Sequence, residues 1–288
     1  MEKAVILGAK GMLGQALSEI LQPDYQVLLW DKEEADVTDF AKMENLLQKE
    51  KPSYLFNCVA INAVDVIEEK EEMYALAKKI NGEAVGELAK LCKKLGIIFI
   101  HYSTDYVFDG GKKKGYAEED KPDPLSKYGQ TKLLGEKLLQ ENTDKYYLIR
   151  LSRLFGKIGT GGGVKRSFVD IMLSQLKAGK TELNATDADI SCPTYAVDLA
   201  KFTKDLLEQK MPYGIYHGAN SGACTWYEWT KEIVKLSGYH KVKVNPVPVG
   251  FFPRLAEVPE FSQLLNTKTV KQRSWQEALK EYLKGTAS

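Results

Sequence analysis

In its first 151 residues the chain alternates short apolar runs with longer amphipathic stretches, and that alternation constrains the fold class more than any other feature. Apolar runs at residues 4–7, 26–30, 54–59, 97–102 and 146–151 have the length of buried strands. Between them, residues 12–21, 40–50, 73–95 and 125–141 repeat apolar side chains at helical spacing. In the first of these the apolar positions are 12, 13, 16, 17, 20 and 21, a single helical face. Strands separated by helices of this length are βαβ units. Such units pair in parallel, cross over right-handedly and carry helices on both faces. The expected architecture is α/β, a Rossmann-type doubly wound parallel sheet.

The second half is less regular. Residues 168–178, 197–208, 226–237 and about 274–282 read as helices, and Pro246, Pro248, Pro253 and Pro259 punctuate an extended stretch. The spacing predicts a dinucleotide-binding domain over residues 1–150, with returns to it from about residues 186–218. Residues 151–288 would form mainly a smaller, interleaved substrate-binding domain. Apolar residues at 44% and charged residues at 27% support a packed core and exclude wholesale disorder. Forty basic side chains against 39 acidic ones leave a net charge of +1, so no excess basic field exists to hold nucleic acid or an anionic membrane. No apolar run approaches the ~20 residues of a membrane helix, and residues 4–7 are too short for a signal peptide. Four cysteines without CxxC spacing fit neither a zinc site nor a disulfide framework, and three isolated histidines argue against a histidine-based metal site, with metal dependence otherwise left open. They suggest a reducing, cytoplasmic setting.

Three motifs carry chemistry. The first, Gly8-Ala9-Lys10-Gly11-Met12-Leu13-Gly14, follows the first strand and opens the first helix. Its glycines allow a tight turn, close approach of a pyrophosphate and close packing of helix on strand, while the helix N-terminus offers free N–H donors. Asp31, about 20 residues further on, is placed to bind adenosine ribose hydroxyls and to repel a 2′-phosphate, which favours NAD. Lys10 and Lys32 lie close enough to offset that repulsion, so NADPH and NADH both stay open. The second motif is Tyr128-Gly129-Gln130-Thr131-Lys132. Its spacing puts a phenol and an ammonium one turn apart on one helix face, where the cation is expected to lower the phenol's pKa. The third, Ser103-Thr104-Asp105-Tyr106-Val107-Phe108-Asp109-Gly110, lies at the carboxyl end of a strand, where open α/β sheets bind ligands. A phosphate loop, a strand-end hydroxyl and a tuned phenol, in that order, are the parts that a carbonyl reduction requires.

Smaller features have plainer readings. Lys112-Lys113-Lys114 reads as a solvated loop and Glu68–Glu72 as the exposed start of a helix. Gly161–Gly163 is a lid or an ordinary loop, and Lys165 and Arg166 beyond it could meet a diphosphate. Trp226, Tyr227 and Trp229 read as core packing rather than a base-stacking platform.

With these motifs in place, the sequence resembles the extended short-chain dehydrogenase/reductases, and within them the dTDP-4-dehydrorhamnose reductase family. The resemblance runs through residues 8–14, 36–39, 57–65, 103–110, 116–136, 150–156, 193–195 with 198–200, and 214–229. It implies NADPH- or NADH-dependent reduction of the C4 keto group of a nucleotide-diphosphate 4-keto-6-deoxy sugar, as in dTDP-4-dehydrorhamnose to dTDP-L-rhamnose, by a monomer or homodimer. It implies a catalytic trio of Thr104, Tyr128 and Lys132, with Lys132 also on the nicotinamide ribose. Asp36 and Val37 would flank the adenine, Ala60 and Asn62 would lie along the cofactor, and Asp105 and Tyr106 would sit beside the sugar. The chain departs from the family pattern at Ile61, at Arg153, where the family has tryptophan near the sugar, and at Val258, where it has arginine. A guanidinium there adds a charged donor, so a different nucleotide-sugar stays open as substrate. Two other outcomes also stay open: an epimerase or dehydratase of the same superfamily, and a non-catalytic NADP-binding subunit resembling the methionine adenosyltransferase β subunit.

Overall fold

A computed structural model describes residues 1–161 and 165–286. The first half runs β1 (Lys3–Leu7), α1 (Met12–Leu21), β2 (Gln26–Trp30), α2 (Phe40–Glu50), β3 (Tyr54–Asn57), α3 (Val64–Glu69), α4 (Glu71–Ala77), a π turn (Lys78–Glu83), α5 (Ala84–Leu95), β4 (Ile98–Thr104), α6 (Lys127–Asn142) and β5 (Tyr146–Leu151). The second half adds β6 (Leu154–Phe155), α7 (Phe168–Lys177), β7 (Glu182–Thr186), β8 (Thr194–Tyr195), α8 (Ala196–Glu208), β9 (Gly214–His217), α9 (Trp226–Leu236), β10 (Lys243–Val247) and α10 (Trp275–Thr286).

Six strands pair in parallel in the order β2-β1-β3-β4-β5-β9. The chain leaves β1 toward β2 on one side and returns to β3 on the other, so the topological switch point lies between β1 and β3. The continuous apolar run in β1 is explained by burial on both faces. Ala4 and Ile6 pack toward α1 and α8 with Leu17, Phe56, Ile100, Ile149 and Leu199. Val5 and Leu7 pack toward α2 and α5 with Met43, Leu47, Val85, Leu88 and Phe99. The second half thus lends α8 and β9 to the sheet layer. Its remaining elements enclose a separate core of Phe155, Val169, Leu183, Trp229, Ile233, Trp275 and Leu279. Its helices start where capping chemistry dictates: Ser167 with Asp170 and Thr225 with Glu228 form reciprocal capping boxes on α7 and α9.

Three local expectations change. β3 ends at Asn57, not at residue 59, because Asn57 turns its side chain back to accept from the Val59 N–H (3.1 Å). The helix expected over 73–95 begins at Glu71 and carries a π turn at Lys78–Glu83. The acidic run 68–72 does not start one helix. Glu68 and Glu69 close α3, Lys70 adopts an extended conformation, and Glu71 and Glu72 open α4, where acids suit the dipole.

Candidate active site

At the end of β1 the chain turns at Gly8, whose φ of +72° lies where a side chain is strained. Both Gly8 N and Ala9 N donate to the Trp30 carbonyl, at 2.9 and 3.2 Å, which ties the turn to the end of β2. A Cβ on Gly14 would stand 2.4 Å from Gly8 O, so glycine is what lets α1 rest on the loop. Gly11 caps α1 with no side chain, and no acid occupies the first turn. The amide groups of Met12 and Leu13 and the positive end of the helix dipole are therefore left to an anion. This cradle fits the pyrophosphate of a dinucleotide.

The rim of the cradle is more occupied than the spacing implied. Asp31 stands at the end of β2, but its carboxylate is committed: Oδ2 accepts from Lys10 N (3.0 Å) and Oδ1 from Lys32 N (2.9 Å). The Lys10 ammonium pairs directly with Glu33 (2.9 Å) and acts on Asp31 only through space. The hydrogen bond to Glu33, with Glu34 and Asp31 nearby, holds Lys10 above its ordinary pKa. Asp36 folds into its own turn, accepting from Thr38 N and Thr38 Oγ1 at 2.8 Å each, and those bonds hold its carboxyl below the usual range. Val37 is buried beneath it. Ala60 and Asn62 are exposed beyond the end of β3.

Between those two, the Ile61 backbone is clamped by a residue that the sequence reading missed. Asn81, fully buried in the π turn, accepts from Ile61 N (2.9 Å) and donates to Ile61 O (2.9 Å) and Thr131 Oγ1 (3.1 Å). The available signal was an asparagine inside a helical stretch, a residue type that competes with the helix for backbone partners.

Thr104 is the last residue of β4. Its hydroxyl donates to Asp105 Oδ1 (3.1 Å) and accepts from Tyr106 N (3.2 Å). Tyr128 sits in the first turn of α6, which Ser126 caps by accepting from Gly129 N (3.2 Å). The Thr104 hydroxyl lies near enough to the phenol to act on its pKa, and the Tyr106 ring meets the phenol ring edge-on at 5.8 Å. Lys132 follows one turn later, fully buried. The sequence thus brings phenol, hydroxyl and ammonium to one place, but the expected electrostatics need correction. The phenol is pushed above its ordinary pKa, first by burial and then by Asp105 and Tyr106, with the Thr104 hydroxyl opposing. The Lys132 ammonium instead donates to the Tyr102 carbonyl (2.7 Å) and lies 3.2 Å from His101 Nε2. Burial lowers its pKa to about 8, against the pull of Glu136 and Cys58.

Asp105 has partners that the spacing did not announce. It is buried, and its carboxylate accepts from Ser191 Oγ (2.8 Å) and Ser262 Oγ (2.6 Å) as well as from Thr104. Arg153 links it to the second half. The Arg153 backbone is left-handed (φ +44°), its Nη1 donates to Cys224 O (2.8 Å), its Nη2 donates to Asp189 O, and its guanidinium stacks 4.0 Å over Trp226. Trp226 and Asp189 line a cavity of about 970 Å3 between α7, β7 and residues 249–260, with Val258 in its wall. Trp226 therefore faces this cavity, whereas Trp229 is buried in the core.

Lys112 pairs with Asp120 and Lys113 lies over Phe261, as a surface loop would have them. Lys165 and Arg166 are exposed, and Gly162 and Gly163 lie outside the described residues. Among the described residues no His, Cys, Asp and Glu cluster could hold a metal ion, and no helix is long and apolar enough to cross a membrane.

A phosphate cradle at the switch point of a parallel sheet, with a strand-end threonine and a Tyr-x-x-x-Lys helix beside it, defines an NAD(P)-dependent oxidoreductase of the short-chain dehydrogenase/reductase class. Comparison with known proteins narrows the class. Residues 2–288 match the family described as the RmlD substrate binding domain. The chain is 32% identical over 293 residues to the spore coat polysaccharide biosynthesis protein SpsK of Bacillus subtilis, covering 100% of this chain and 99% of that one. The dTDP-4-dehydrorhamnose reductase structure from Clostridium acetobutylicum superposes with a TM-score of 0.91 at 35% identity, covering 99% of this chain and 100% of that one. The Bacillus anthracis dTDP-4-dehydrorhamnose reductase in complex with NADP gives 0.89 at 32% identity, covering 99% of each. The chain belongs to the dTDP-4-dehydrorhamnose reductase family.

Proposed function

We propose that this protein reduces the C4 keto group of a nucleotide-diphosphate 4-keto-6-deoxy sugar, as in dTDP-4-dehydrorhamnose to dTDP-L-rhamnose. The observation that carries the reading is the setting of Thr104 at the end of β4 beside Tyr128 of α6, in the same parallel sheet whose β1 ends in the glycine cradle, with Asp105 and Arg153 between them and the cavity of the second half. Gly8, Gly11 and the amides of Met12 and Leu13 hold the cofactor's phosphates; Asp31, Asp36 and Val37 form the rim for its adenosine half. Ala60, Asn62, Tyr128 and Lys132 take the nicotinamide half. Reduced nicotinamide bound there supplies the hydride.

The protein supplies the proton. Burial keeps the Tyr128 phenol in its acid form at neutral pH, the form a proton donor needs. The Thr104 hydroxyl, which donates to Asp105 Oδ1 here, turns its hydrogen to the same carbonyl oxygen when substrate is bound. Lys132, charged below about pH 8, places a cation one turn from the phenolate that proton transfer leaves behind. Tyr106 and Arg153 face the sugar. The half-buried, stacked guanidinium of Arg153 favours a second reading of the substrate, a more polar or anionic hexose than a 6-deoxy sugar. Four unpaired cysteines support a cytoplasmic setting.

The test is a panel of 4-keto nucleotide-sugars, each assayed with NADPH and with NADH by loss of reduced-nicotinamide absorbance. Turnover of the dTDP-linked 4-keto-6-deoxy sugar is expected. Turnover confined to a carboxylated or otherwise anionic sugar would select the second reading. Conversion without consumption of reduced cofactor would refute reduction as the activity.

A further inference from the structure

Beneath the catalytic helix lies a buried hydrogen-bonded chain that the reaction as described does not use. Lys132 Nζ is 3.2 Å from His101 Nε2, His101 Nδ1 is 3.2 Å from Asn57 Nδ2, and Asn57 Oδ1 accepts from Val59 N at 3.1 Å. His101, Asn57 and Lys132 are all buried. Each donor and acceptor can be assigned in turn, starting from the group that has no choice.

The Val59 backbone N–H can only donate, so the atom it meets is the Asn57 amide oxygen. The Asn57 NH2 group therefore faces His101 Nδ1. Nδ1 must accept, which places the imidazole hydrogen on Nε2, because burial holds the ring neutral. Nε2–H then points at Lys132 Nζ. An ammonium has no lone pair to accept that bond, whereas a neutral amine has one, and it can still donate to the Tyr102 carbonyl. With a charged Lys132, His101 must carry its hydrogen on Nδ1 and Asn57 must turn its oxygen to the ring. That turn leaves its NH2 group against the Val59 N–H, donor to donor.

We propose that His101 and Asn57 are positioning residues that set the charge of Lys132, the imidazole changing tautomer whenever the amine gains or loses a proton. On protonation, the Nε2 hydrogen passes to the amine, the proton taken up comes to rest on Nδ1, and the ring stays neutral. The Val59 N–H bond is the element that opposes the change. Val59 N would lie 3.3 Å from a Cβ at Gly8, so the device reaches from the catalytic lysine to the floor of the phosphate cradle.

The other charged and titratable groups around Lys132 are few and fixed. Glu136, on the same helix, is held by Arg150 of β5 in a buried pair (Nη2 to Oε2, 2.7 Å). Cys58 follows β3 with its thiol pushed well up by burial, and Tyr128 lies one turn away with its phenol raised. Burial moves both the Cys58 thiol and the Tyr128 phenol away from neutral pH, so neither is the source of a change in the ring near that range. For turnover, the proposal rests on Lys132 acting in the catalytic trio; the tautomer itself requires no turnover.

The test is the 15N–13C correlation spectrum of the histidine rings of the intact protein from pH 6.5 to 9.5, with His101 assigned by loss of its signals in His101→Gln. Nδ1–H below and Nε2–H above a midpoint near that of Lys132 is expected. In Lys132→Met the ring is expected to stay Nε2–H throughout. In Asn57→Asp, whose carboxylate accepts from both Val59 N–H and Nδ1–H, it is expected to stay Nδ1–H. A wild-type ring that keeps one tautomer across the whole range overturns the proposal. The same samples run in the reductase assay separate the two readings, since a tautomer switch in a protein without reductase turnover would sink the function and leave the device standing.

Discussion

Replacing Lys132 by methionine should stabilise the protein while abolishing its turnover. The ammonium is buried, and its pKa falls from 10.5 to about 8. At 1.36 kcal/mol per pKa unit, keeping this group charged in the fold costs about 3 kcal/mol at pH 7. Methionine keeps most of the apolar stem and removes the charge, but it gives up the bond to the Tyr102 carbonyl, worth about 1 kcal/mol. The variant should therefore be about 2 kcal/mol more stable than wild type at pH 7. The sign with pH follows from linkage. Because the folded value is the lower one, the unfolded chain binds the proton more tightly between about pH 8 and 10.5. Wild-type stability from this group therefore rises with pH across that window. By pH 10 the advantage of the variant should have vanished or slightly reversed. Urea unfolding of both proteins at pH 7 and pH 10 measures this, with contributions from other groups cancelling in the difference. A stability difference that is the same at both pH values would refute the argument that Lys132 is held charged at a cost.

Tyr128→Phe should lower kcat by about 10^2–10^4-fold, the span of a general acid, and change the NADPH dissociation constant far less in a fluorescence titration, because the phosphate cradle is untouched. Gly14→Val puts a side chain where even a Cβ meets Gly8 O at 2.4 Å, so a titration with NADH should show at least about tenfold weaker binding. Asp31→Ala removes an acid from a rim that also holds Glu33 and Glu34, and should raise the ratio of kcat/KM for NADPH over NADH. Glu136→Gln leaves the buried Arg150 guanidinium without its carboxylate and should cost about 3–5 kcal/mol, read by thermal or urea unfolding.

Much of the nucleotide-binding half was legible because its signals are local. The apolar runs of β1 and β5 are buried on both faces, so each stands out against the polar residues at its ends, while β2 is an edge strand with Leu29 exposed and was legible from its apolar run alone. The positions of Gly8–Gly14, Thr104 and Tyr128 followed from strand-end and helix-start patterns. What the sequence hid were the partners. Nothing near Asp105 in the chain announces Ser191 and Ser262, and nothing near Lys132 announces His101. The expectation of an acidified phenol failed for that reason: spacing sets which residues share a helix face, whereas pKa depends on burial and on which neighbours accept the charge. Arg153 was visible as an unusual residue, but its stacking on Trp226 required the fold.

The carboxylate of Asp105 takes hydroxyls from serines 86 and 157 positions further along the chain. Ser191 precedes β8 and Ser262 lies beyond β10, so neither belongs to the six-stranded sheet that carries Thr104. Three separated stretches of chain must therefore meet before the anchor behind Thr104 is complete. Ser262→Ala takes one hydroxyl from that carboxylate and should loosen Thr104 without touching the turn at Gly8–Gly14.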